Sequence, residues 1–111
     1  MRALAVAVGF LLAGCGAPMT TVERFSDPWI QPSPLIMRLL AAHHIQGCGE
    51  FYMKAAKDAA GPPENGDFLI YCTRDGDHWT AWEAFPGNDN VLGPLTLEPG
   101  IALPDRDKIS N

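Results

Sequence analysis

The sequence has no cluster of lysine or arginine. Eight basic residues stand against thirteen acidic ones, a formal charge of −5. Contact with a phosphate backbone needs concentrated positive charge, so nucleic acid is excluded as a partner. Charge of either sign is scarce, at 19% of residues against about a quarter in an average soluble domain. Catalytic signatures are missing as well: there is no nucleophile elbow, no phosphate-cradling glycine loop and no Cys-x-x-Cys pair. Asp75-Gly76-Asp77 and Asn88-Asp89-Asn90 lack the spaced ligands and distal glutamate of a calcium loop and read as turns. His43 and His44 are adjacent, so a helix would point them about 100° apart, which does not suit a shared metal. His78 stands beside a turn, where a solvated histidine is ordinary. These patterns imply no cofactor and no metal. The one long apolar run, Ala3 to Ala13, is too short to cross a bilayer as a helix.

What is present begins with that run. Met1-Arg2 gives it a positive start, and it closes in Leu12-Ala13-Gly14-Cys15, with the form of an export leader. The last four residues resemble the lipobox of bacterial lipoproteins: a leucine three before the cysteine, small residues between, then the cysteine. The resemblance covers only the leader. It implies lipid transfer to the sulfur of Cys15, cleavage before it and acylation of the new N-terminus. The acyl chains, at about 0.8 kcal/mol per buried CH₂, would fix the mature chain to a membrane. Residues 1–14 are then the signal peptide, and losing Arg2 leaves seven basic against thirteen acidic residues, a charge of −6. Gly16 follows the cysteine. In Gram-negative lipoproteins an aspartate there favours the inner membrane, so in such a host its absence points to the outer membrane, facing the periplasm.

Ten prolines and nine of the eleven glycines lie in the mature chain and cut it into short pieces, and its length allows one small domain. Residues 15–32 read as a lipidated tether, with Trp29-Ile30 packed on the domain's edge or offered to a partner. Residues 33–95 read as a small α+β domain. Ser33 caps a helix, Pro34 opens its first turn, and Leu35, Ile36, Leu39, Leu40 and His43 fall on one face. The helix ends near His44, before Gly47 and Gly49. Three or four antiparallel strands follow as a meander: Glu50 to Ala55, Phe68 to Thr73, His78 to Phe85, and a short one begun by Val91-Leu92 and stopped near Gly93-Pro94. Residues 96–111 read as an irregular C-terminal tail.

Asp75-Gly76 can take the positive φ of a two-residue hairpin turn. That turn would set Cys72 opposite Trp79, Ile70 opposite Ala81 and Leu69 opposite Trp82. One face then carries Cys48, Tyr52, Phe68, Ile70, Cys72, Trp79 and Ala81. The other carries Phe51, Met53, Leu69, Tyr71, Thr80 and Trp82. Both faces are apolar and one helix covers only one of them. The tether or the tail covers the second, or it is a binding surface; the candidate contacts are Tyr52 and Trp79 on the first-named face and Tyr71 and Trp82 on the other. A one-residue bulge after Gly76 would exchange Trp79 and Trp82 between faces.

With Cys15 lipidated, Cys48 and Cys72 remain, and an even pair in an exported chain reads as a disulfide. They come opposite one another if Phe51 pairs with Leu69. The closed loop of 25 residues would contribute roughly 3–4 kcal/mol. The expected function is that of a membrane-anchored envelope lipoprotein with a binding or assembly role and a protein partner in the envelope, not an enzyme. A second expectation is a periplasmic inhibitor that inserts the loop Arg74 to His78 into an enzyme. The least favoured is a peptidoglycan hydrolase with Glu50 or Glu83 as acid, since a glycosidase needs two carboxylates across a cleft.

Overall fold

The computed structural model describes residues 18–45 and 48–109. It contains a four-stranded antiparallel sheet, two short α-helices and one disulfide. The expected N-terminal helix is not the first element. A single turn, α1 (Thr21–Arg24), precedes it and is closed by a reciprocal capping box. The Glu23 N–H donates to Thr20 Oγ1 at 3.1 Å and the Thr20 N–H donates to Glu23 Oε1 at 2.8 Å. Helix α2 (Pro34–Ala42) starts where the sequence places it, with the Ile36 N–H donating to Ser33 Oγ at 3.3 Å. It stops at His43, and His44 turns the chain with a φ of 55°.

The strands β1 (Glu50–Ala55), β2 (Phe68–Thr73), β3 (Trp79–Phe85) and β4 (Asn90–Leu95) lie in sequence order. All six residues of β2 are buried, as its unbroken apolar run requires of a strand covered on both faces. β4 does not stop at Gly93-Pro94 but runs through it to Leu95. As the edge strand of the sheet it can accommodate a proline, whose nitrogen offers no ladder hydrogen bond. Gly93 has a φ of 144° and lies under the Trp82 ring, where a Cβ would stand 2.6 Å from Cε3.

Both expected registers are corrected. β1 and β2 pair Phe51 with Cys72 and Ala55 with Phe68, three residues from the expected match of Phe51 with Leu69. β2 and β3 pair Thr73 with Trp79, Ile70 with Trp82 and Tyr71 with Ala81, one residue from the two-residue-turn register. Residues 74–78 form the loop between them. Each shift is odd, so each turns a strand over relative to β2.

The outcome is three layers. α2 packs Ile36, Leu39 and Leu40 on Met53, Phe68, Ile70 and Ala84, with Phe51 and Trp82 at the margin. On the opposite face Leu69, Tyr71 and Ala81 are covered by Phe25, Trp29, Leu97 and Ile101. The segment read as a tether and the segment read as a tail together make the third layer. The chain on either side of residues 33–95 therefore belongs to the packed unit, from Thr20 to at least Ile101.

Candidate functional site

Cys15 lies outside the described residues. Cys48 and Cys72 are bridged, with a Cα–Cα distance of 5.6 Å. The pairing expected from the cysteine count stands, although the register that would set the two opposite one another does not. Cys48 precedes β1 by two residues, and the Gly49 N–H donates to the Thr73 carbonyl at 3.0 Å, which brings the chain back across β2.

The structure does not bring the four aromatic residues read as a possible binding surface onto one face. Tyr71 is 1% exposed and Tyr52 is 5% exposed. Trp29 covers Tyr71 with ring centroids 4.6 Å apart, and the Glu98 N–H donates to the Tyr71 hydroxyl at 3.1 Å. Tyr52 sits 6.0 Å from the Trp79 ring and donates its hydroxyl to Glu50 Oε1 at 2.6 Å. Burial raises the proton affinity of both phenols. Trp79 lies with them on the face of the third layer, and Trp82 lies on the helix face. The one-residue register shift at the hairpin exchanges the two tryptophans. Trp29 and Ile30 are edge residues, as the sequence suggests: Ile30 bridges Met53 of β1, with N–H···O bonds of 3.0 and 2.9 Å in the two directions. The Trp29 ring also takes the Lys54 ammonium at 4.9 Å from its centroid.

Glu50 and Glu83 lie on the same face but at opposite ends, Glu50 beside Thr73 and Glu83 beside Leu69. Strand geometry separates them by roughly 16 Å, well beyond the ~5–9.5 Å of a glycosidase carboxylate pair. Each is engaged separately. Glu50 accepts from Arg106 Nε at 2.7 Å and from Tyr52, and the arginine chiefly lowers its proton affinity. The same Arg106 lies across Gly76, where a Cβ would stand 2.3 Å from Nη1. The tail thus clamps the end of β1 and the 74–78 loop together.

Glu83 belongs to a cluster that no local sequence pattern announces. Arg24, at the end of α1, bonds both oxygens of Asp58 through Nε at 3.0 Å, contacts Asp67, and stands 3.9 Å from Glu83 Oε2. Its partners are 34, 43 and 59 positions along the chain, so only folding assembles them. Asp67 is buried, and among the described residues its Oδ1 has no hydrogen-bond partner. Burial, and then the neighbouring Asp67, push Glu83 up to about 7, while Arg24 opposes the shift. Glu83 thus keeps its proton into a range where an ordinary carboxylate has lost it. Because the folded chain holds this proton more tightly than the unfolded one, the contribution is complete below the ordinary carboxylate range. It is lost as pH rises through about 7. Between pH ~4.5 and ~7 the wild-type chain is expected to lose roughly 1–2 kcal/mol more than Glu83→Gln, after allowance for solvent screening. Denaturant unfolding of both proteins across that range measures it, and parallel curves would refute it.

The loop 74–78 is held from within. Asp75 Oδ1 accepts the N–H groups of Asp77 and His78, both at 2.8 Å, and Asp75 Oδ2 lies 2.7 Å from His78 Nδ1. Thr73 Oγ1 donates to the His78 carbonyl at 2.7 Å and accepts the Gly76 N–H at 2.8 Å. Gly76 supplies the positive φ, 86°. His78 donors hold Asp75 well below the usual carboxylate range, and Asp75 in turn raises His78. Asp75→Asn is expected to return the His78 imidazole to the ordinary histidine pKa. An NMR titration reads this, and an unchanged midpoint would count against the pair. The His78 side chain is otherwise free, at 89% exposed.

Among the described residues, no group of three or more His, Cys, Asp or Glu is arranged to hold a metal ion. The exposed large apolar residues include Met19 and Val22 at the start of the described chain, and Leu92 and Leu95 on β4. No protein-family model, no curated protein and no solved structure matches this chain.

Proposed function

We propose that the protein is a membrane-anchored envelope lipoprotein that presents a disulfide-closed α+β domain for binding or assembly within an envelope complex. The observation that carries this reading is the Cys48–Cys72 bridge. It uses two of the three cysteines and leaves Cys15, the residue that ends the lipobox, outside any intramolecular pair. A bridge of this kind also needs an oxidising compartment, so export and anchoring support each other. In a Gram-negative host the protein faces the periplasm from the outer membrane. The packed fold adds an argument against a paired-carboxylate hydrolase, because Glu50 and Glu83 stand at opposite ends of one sheet face.

Mass spectrometry of the membrane-extracted protein is the test. The expected product lacks residues 1–14 and carries acyl chains on Cys15, and Cys15→Ser releases the folded domain into the soluble fraction. An unmodified Cys15 in a membrane-free product would overturn the reading. Mild crosslinking on intact cells then captures the partner.

A second reading is favoured by the 74–78 loop, whose internal hydrogen bonds fix its shape before any contact is made. Preformed loops lose little entropy on binding, which suits an inhibitor that inserts into an enzyme. In that case Arg74→Ala with His78→Ala abolishes inhibition of one soluble periplasmic enzyme, whereas the envelope-assembly reading leaves the captured partner unchanged.

A further inference from the structure

The first described residue, Pro18, is three positions after Cys15. A fully extended chain covers at most ~3.6 Å per residue, so Pro18 lies within roughly 11 Å of the Cα that carries the lipid-bearing side chain. The headgroup layer of a bilayer is itself about 5–7 Å thick on each side. There is little slack beyond Pro18. The Thr20 cap closes α1, the Lys57 N–H donates to the Arg24 carbonyl at 2.8 Å, and Phe25 is buried in the third layer. The fold therefore fixes which surface stands nearest the anchor.

That surface carries exposed apolar side chains. Met19 and Val22, each 39% exposed, line a shallow hollow with Pro18, and Glu23, Ser26 and Lys57 complete its lining. Val22 also rests on Gly100, where a Cβ would come within 2.6 Å of its Cγ2, so the tail supports the hollow from behind. The charged groups here have partners within the fold: Glu23 accepts the Thr20 N–H, and Lys57 Nζ lies 3.6 Å from Asp27. With an acidic chain overall, attraction to anionic headgroups supplies little, and apolar contact is the remaining source of adhesion.

Resting on the lipid-anchor reading above, we infer that the Pro18–Met19–Val22 surface lies directly on the bilayer and sets the domain's orientation. The occupant of the hollow is the lipid surface itself. The opposite readings, a domain swinging freely or a protein seated on Met19 and Val22, give different chemistry at these positions.

The test uses the full chain, processed and acylated, in vesicles of phosphatidylethanolamine and phosphatidylglycerol. A diazirine-bearing side chain replaces Met19, Val22, Leu92 or Asn65, one at a time, and irradiated adducts are identified by mass. Intact Cys48–Cys72 bridging in the same spectra reports that each variant is folded. Lipid adducts at positions 19 and 22 are expected to exceed those at 92 and 65 several-fold, with no dependence on added salt. Acylated Cys15 with equal lipid labelling at all four positions, or with protein adducts at 19 and 22, overturns the orientation and leaves the anchor standing. A Cys15 without lipid overturns both, because the short reach to the bilayer then disappears.

Discussion

Phe25→Ala is expected to lower the unfolding free energy by roughly 3–5 kcal/mol. The residue lies in a segment whose composition reads as linker, and for a free linker the loss would stay within about 0.5 kcal/mol. The two outcomes are far apart. Phe25 is 2% exposed and packs in the layer that covers Leu69, Tyr71 and Ala81. Truncation removes the ring from a face with no helix on it and opens a cavity against the centre of β2. The neighbouring contacts make the segment act as a unit: Arg24 grips Asp58 and Asp67, and Trp29 lies on Tyr71 and donates its indole N–H to the Ala102 carbonyl at 2.8 Å. Since a small domain has only about 5–15 kcal/mol in total, the alanine variant could be largely unfolded. Phe25→Leu, with a smaller change of volume, provides the graded measurement at below ~1.5 kcal/mol. Urea unfolding gives both the midpoint and the slope. A midpoint unmoved by alanine would mean that the third layer does not contribute to the core.

The second large effect is the loss of the bridge. Cys48→Ala with Cys72→Ala is expected to cost roughly 3–4 kcal/mol from the freed unfolded chain, for a sequence separation of 24. Cys72 is fully buried beneath the same layers that hold Ile70 and Tyr71, so the packing around its sulfur is lost as well. The reduced wild-type protein keeps the buried Cys72 sulfur, so its urea midpoint should fall between those of the oxidised protein and the double variant. A double variant as stable as the oxidised protein would show that the non-covalent core suffices. The position of the bridge explains why the effect is large. It ties the entry of β1 to β2, and the breaker-rich segment from Gly61 to Gly66 lies inside the loop it closes. A chain that depends on it would fold poorly where thiols stay reduced, which is consistent with the export implied by the leader.

The Arg24 cluster gives the smaller, pH-dependent counterpart. Its effect runs opposite to that of an ordinary carboxylate ion pair. Glu83 stabilises the fold by keeping its proton, so the contribution fades as pH approaches neutrality. Glu50 has its proton affinity lowered by Arg106, so its contribution is lost instead at acid pH. Comparing Glu83→Gln with Glu50→Gln separates the two clusters at opposite ends of one sheet face.

Much of the local structure could be read directly from neighbouring residues. Ser33-Pro34 carries a helix start in two adjacent side chains, and cap geometry needs nothing more distant. Phe68 to Thr73 is apolar at every step but the last, which marks a strand covered on both faces. The pairing of Cys48 with Cys72 followed from parity once Cys15 was set aside. The Asp75-Gly76 turn was placed correctly, but its length was not. The Asp75 carboxylate takes the N–H groups of Asp77 and His78, so the loop closes on itself and pairing resumes only at Trp79.

The sequence by itself determined helix α2, the strands in outline, the cysteine pair and the lipobox-like pattern, because each is written in residues close together or in a count. Tertiary structure alone decided the registers, the identity of the third layer and the assembly of Arg24 with Asp58, Asp67 and Glu83. The physical reason is that register is a matter of parity, and parity is legible only when one face of a strand is polar. Here β2 is apolar on both faces, so alternation could not tell one match from the next. The choice fell to packing, with Ile36 and Leu40 filling one side and Phe25, Trp29 and Ile101 the other.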